Sequence, residues 1–156
     1  MSSSLQQEGR LGLDAAVQES FRRSFALYRD LAGELEREAL SSRLAGLPSN
    51  TIGAQLWCVV GARESYSRAI PEGGWSGFSC SLSDPLDAVL VRQSLARSAE
   101  AVTAVLDALE SFDEARARLL MDLLEHEAQH QGQLIRYLYA LGLEIPASWR
   151  ERYALG

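Results

Sequence analysis

Three observations predict an all-α fold, a four-helix bundle in a single domain. Apolar residues recur at three- and four-residue steps along four long segments. No stretch between them shows the two-residue alternation of a strand, and capping residues fall where the segments start and stop. The chain has 156 residues, one domain's worth and enough for one sizeable core. No internal repeat divides it.

The first helix spans about 14–38, where Val17, Phe21, Phe25, Tyr28, Leu31 and Leu35 form one apolar stripe. Residues 1–13 precede it and read as a flexible tail, since MSSSLQQEGR lacks the apolar region of a secretory signal. Gly46 and Pro48 break the chain, and Ser49 or Asn50 is the expected N-cap of a second helix over about 51–69. That helix carries Ile52, Leu56, Val59, Val60 and Tyr66, and Pro71 is expected to stop it at Ile70. The irregular stretch PEGGWSGFSCSLS holds Trp75 and Phe78, which are expected to pack down onto the helices. Its length also admits a crossover connection. Asp84 as N-cap, Pro85 at the first helical position and Asp87 in the first turn open the third helix, which runs on to Leu109. Ser111-x-x-Glu114 reads as a capping box for the fourth helix. Gly142 is its left-handed C-cap, and a short tail sets Trp149 and Tyr153 four residues apart.

Composition excludes several functions. All 15 basic residues are Arg, so a Schiff-base lysine and a Walker-A phosphate loop are both ruled out. The net charge of −6 argues against nucleic acid as a partner. No apolar run reaches membrane-spanning length, so no membrane partner is expected. Cys58 and Cys80 form no Cys-x-x-Cys, and without a secretion signal they imply reduced thiols and a cytoplasmic protein.

The fourth helix is interrupted where its core stripe should continue. At 100° per residue, Leu120, Leu123, Leu124, Leu134, Leu138 and Leu141 share a face. Between Leu124 and Leu134 that face holds Glu127, His130 and Gln131, with His126 at its edge. Buried polar groups are costly unless paired, so the break is a functional-site candidate. The bland alternative is a solvated face on a tilted helix. His126 and His130, the only two histidines, lie one turn apart and can address one cation. The string His126-Glu127-x-x-His130 spells the zincin protease motif, but neither a strand nor a downstream histidine supports it. Glu127-x-x-His130 is half of a ferritin-like di-iron motif, with no histidine left for the other half. A mononuclear site needs a third ligand from another helix. Cys58 leads the candidates, lying about 120° from the centre of the second helix's stripe; the alternative is core filler.

The run Thr51-Ile52-Gly53-Ala54-Gln55-Leu56-Trp57-Cys58-Val59-Val60-Gly61-Ala62-Arg63-Glu64, with His126-x-x-x-His130-x-Gly132-Gln133-Leu134 some sixty residues on, resembles the DinB-like four-helix-bundle superfamily. Gly142-x-x-Ile145-Pro146-x-Ser148-Trp149 resembles that family's C-terminal end. The resemblance implies a bundle over 14–156 and a divalent metal, zinc or nickel, held by His126, His130 and a helix-two residue. That residue is histidine in the family and Cys58 here, which favours zinc. It further implies a stress-response setting and a reaction on a small molecule, as a transferase using a low-molecular-weight thiol or as a hydrolase. Glu127 would then serve as general base. The alternative is a non-catalytic bundle with a vestigial site. A homodimer is expected under either reading, because Trp57 and Gly132 both face away from their helices' stripes.

Overall fold

The computed structural model describes residues 2–110 and 112–156, with side chains from residue 14 onward. It is all-helical: α1 (Ser2–Glu34), α2 (Arg37–Ser41), α3 (Ile52–Glu72), α4 (Ala88–Ala108), α5 (Glu114–Leu141) and α6 (Ala147–Tyr153). The backbone of α1 takes in the segment that the sequence sets apart as a tail. Each of the four long helices packs mainly against two others, α1 and α3 both against α4 and α5. Helices α1 and α3 therefore sit diagonally, as do α4 and α5. The diagonal crossings fall at the 35–51 and 109–113 connections, while the longer 73–87 loop joins the neighbours α3 and α4.

Several ends differ from those the sequence predicts. The first helix stops at Glu34, and α2 follows after a break at Leu35 and Glu36. Leu40 of α2 is fully buried and joins the core cluster with Leu31, Leu35 and Ile52. Thr51, and neither Ser49 nor Asn50, caps α3, its side chain accepting from the Ala54 N–H. Pro71 does not stop that helix. It sits in the last turn, and termination comes two residues later at Gly73 in the left-handed conformation (φ 67°), where Gly73 and Gly74 N–H groups satisfy the last carbonyls. Asp87, not Asp84, caps α4 by accepting from Val89 and Leu90 N–H. Asp84 closes the turn before it, accepting from Leu86 N–H. Asp113 caps α5 by accepting from Arg116 N–H; Ser111 lies outside the described residues. Gly142 ends α5 as expected, at φ 63° with Leu143 N–H returning to the Leu138 carbonyl.

Two apolar clusters fill the interior. One gathers Tyr28, Leu31, Leu56, Val60, Leu134, Leu138 and Trp149, and the other Phe21, Ala62, Ile70, Val102, Leu120 and Leu123. Trp149 is fully buried and donates its indole N–H to the Leu27 carbonyl at 2.7 Å, which fastens α6 to α1. Two glycines let the 73–87 loop close on α3. A Cβ on Gly53 would come within 2.3 Å of the Pro85 carbonyl oxygen, and one on Gly61 within 2.3 Å of the Phe78 ring. Trp75 and Phe78 do pack, against Tyr66 and Trp57 respectively, while keeping about half of their surface in solvent.

Candidate metal centre

The polar break in α5 divides into two sites. Glu127 and Gln131 turn fully inward, whereas His126 and His130 stay half-buried at the edge of the same face.

The inward half is a hydrogen-bonded network that joins five helices. Arg63 of α3 grips Glu127 of α5 at two points, Nε to Oε1 at 2.6 Å and Nη2 to Oε2 at 2.8 Å. Both side chains are out of solvent, at 1% and 0% exposure. The Ser24 hydroxyl of α1 donates to Oε2 at 2.5 Å, and the Gln131 amide donates to Ser24 Oγ at 2.7 Å. Tyr153 of α6 donates in turn to Gln131 Oε1. Arg63 also reaches the Leu95 carbonyl of α4 through Nη1, and its guanidinium lies over the rings of Phe25 and Tyr28. A buried charge survives only when paired and hydrogen-bonded, and here both partners are. The general-base role expected of Glu127 finds no support in this geometry, because each carboxylate oxygen is already engaged by a cation or hydroxyl inside the core.

The edge half brings together the three expected ligands. One ligand atom each from Cys58, His126 and His130 lies within 4.8 Å of the others. Cys58 Sγ is 3.4 Å from His126 Nε2. Tetrahedral zinc with bonds of about 2.3 Å to sulfur and 2.05 Å to nitrogen places such a pair roughly 3.5 Å apart. The two imidazoles stand edge to face, centroids 4.6 Å apart. Cys80 is elsewhere: its thiol donates to the Trp57 carbonyl at 3.3 Å.

The protonation states suit cation binding. Burial lowers His130 to about 4, with His126 adding to the shift and Glu127 opposing it. Burial also holds His126 below the usual histidine range, against Glu127 and with Arg63. Both rings are thus neutral near pH 7, each with a lone pair to give. Burial pushes the Cys58 thiol up, so it keeps its proton unless a cation displaces it. Among the surrounding groups, Gln55 Oε1 lies 3.3 Å from His130 Nδ1, which fixes that ring and leaves Nε2 for a ligand. His126 Nδ1 is buried without a hydrogen-bond partner. A cation beside Nε2 would give this ring its one strong bond. The donor set, one thiol and two neutral imidazoles, is of the kind that suits a zinc-type ion.

Beside His130 opens a cleft of about 520 Å³, lined by Gln55, Gln133, Tyr137 and Asn50 together with Leu44 and Leu47 of the 42–51 linker. The cluster therefore has one ligand facing a space large enough for a small organic molecule. Among the described residues, no helix is long and apolar enough to cross a membrane.

Arg63 is the central residue that sequence reasoning missed. It continues the register of Ile52, Leu56 and Val59, so a charge inside a core stripe was there to be read, as it was for Glu127. No family model matches the chain, and no curated protein matches it significantly.

Proposed function

We propose that this chain is a DinB-like four-helix bundle that binds one divalent metal ion, zinc in preference to nickel, through Cys58, His126 and His130. The observation that carries the reading is the meeting of three donor atoms from α3 and α5 within 4.8 Å, two of them at the spacing of a tetrahedral site. Such an ion supplies Lewis acidity to a thiol, water or substrate oxygen. The chain's own residues do the rest. Gln55 orients His130, the 520 Å³ cleft admits a small molecule beside it, and the Arg63–Glu127 pair fixes the turn of α5 that carries both histidines. Glu127 is thus a positioning residue. The reaction class is transfer to or from a low-molecular-weight thiol, or hydrolysis, on a small-molecule substrate.

Elemental analysis of chelator-free protein tests this reading. One equivalent of zinc or nickel supports it, and failure to take up metal on reconstitution favours the alternative, a non-catalytic bundle with a vestigial site. The solvent-exposed Trp57–Phe78 pair, ring centroids 5.3 Å apart, supports a homodimer through the outer face of α3. Light scattering that finds a monomer at micromolar concentration would remove that part.

A further inference from the structure

A second small pocket lies on the opposite side of α5 from the cysteine–histidine cluster, where α1, α5 and α6 meet. Its volume is about 220 Å³. Arg23 of α1 and Arg152 of α6 both line it, with Ser20 and Tyr153 at the sides and Leu27 and Leu124 forming an apolar floor.

Three features of the lining bear on what it could hold. No acidic residue lines the pocket, although the chain as a whole carries a net charge of −6. Neither Arg23 nor Arg152 makes an ion pair among the described residues, a property they share with Arg43, Arg68, Arg97, Arg136 and Arg150, and they are the two that line one pocket. Both arginines share the pocket with the Tyr153 side chain. Burial raises the Tyr153 hydroxyl, and Arg152 and Arg23 both pull it down. Arg152 is held against that ring, its guanidinium carbon 5.6 Å from the centroid. Tyr153 is itself fixed through Gln131 and Ser24 to the Glu127 carboxylate, so the pocket wall is ordered before any ligand arrives.

Two like charges lining one small pocket with no carboxylate among its lining residues favour an anion there, and an oxyanion can accept from guanidinium forks. We infer that this pocket binds a small organic oxyanion of the phosphate-monoester class, its charged head between Arg23 and Arg152 and its carbon body on Leu27 and Leu124. The site is independent of the metal reading.

The test is calorimetric titration of phenyl phosphate, and of inorganic phosphate, into the full chain at constant ionic strength. Phenyl phosphate should bind saturably and about threefold or more tighter than inorganic phosphate, through the apolar floor. Arg152→Gln should weaken binding about tenfold, and Arg23→Gln with Arg152→Gln should abolish it. Both arginines are exposed, and the melting curve checks that the variants fold. Arg29→Gln, an exposed arginine of α1 paired with Asp30, should change nothing. Four results overturn the inference: no saturable binding, equal binding of the two probes, binding that survives in the double variant (as it would at a metal ion), or an equal loss in Arg29→Gln.

Discussion

Arg63 and Glu127 meet as a two-point ion pair at the centre of the four long helices, at 2.6 and 2.8 Å, with neither side chain reaching solvent. The pair touches every long helix: Arg63 rises from α3 to the Leu95 carbonyl of α4 and the aromatic rings of α1, and Glu127 anchors it to α5. Buried pairs of this kind contribute little over a well-packed apolar replacement, but losing one partner strands the other charge. Arg63→Met should therefore destabilise the protein by about 3–5 kcal/mol, and Glu127→Gln by a similar amount. Arg63→Met with Glu127→Leu should recover much of that loss. Urea denaturation of the four proteins measures the cycle, and simple additivity would show that the two groups do not depend on each other.

The close approach of Pro85 to α3 gives a second expectation. Gly53→Ala would set a methyl 2.3 Å from a backbone oxygen, so the 73–87 loop must move, at a cost of roughly 1–3 kcal/mol. Gly132 is exposed with nothing within 4 Å of the added carbon. Gly132→Ala should accordingly stabilise by up to about 1 kcal/mol through helix propensity alone. Thermal melts that rank the two variants the other way would contradict the packing described for the loop.

Gln55 supplies the third. Its side chain is buried, and its oxygen meets His130 Nδ1 at 3.3 Å. Gln55→Met keeps the volume and removes the acceptor, so zinc affinity should fall by about 10–100-fold while the melting temperature of metal-free protein changes little. Competition against a chromophoric chelator gives the affinity. An unchanged value would mean that Gln55 does not orient the ring.

How much of this was legible depends on which residues carried the signal. The long helices follow from stripes such as Phe21–Tyr28–Leu31 and Leu120–Leu123–Leu134–Leu138, where burial enforces periodicity. The ends were read less well where two local signals compete. Pro71 forbids only the hydrogen bond from its own nitrogen and tolerates the last turn, so the left-handed Gly73 decides the terminus. Asp84 and Asp87 are both good caps, and only the turn geometry chooses between them. At the site, Cys58, His126 and His130 were nominated by type and spacing. The buried engagement of Glu127 was not legible because its partner Arg63 is 64 residues away on α3. A carboxylate inside a leucine stripe announces that something neutralises it, and Arg63 in the stripe of α3 announces the same. Neither announces the other until the helices are packed.

Cys58 completes the proposed metal site with His126 and His130. Zinc bound per chain, measured by elemental analysis after reconstitution and removal of free metal, tests this directly when Cys58→Ala and Cys80→Ala are compared with the parent. One zinc is expected for the parent and for Cys80→Ala, and a large loss for Cys58→Ala. Equal zinc in all three, or none in the parent, would contradict it.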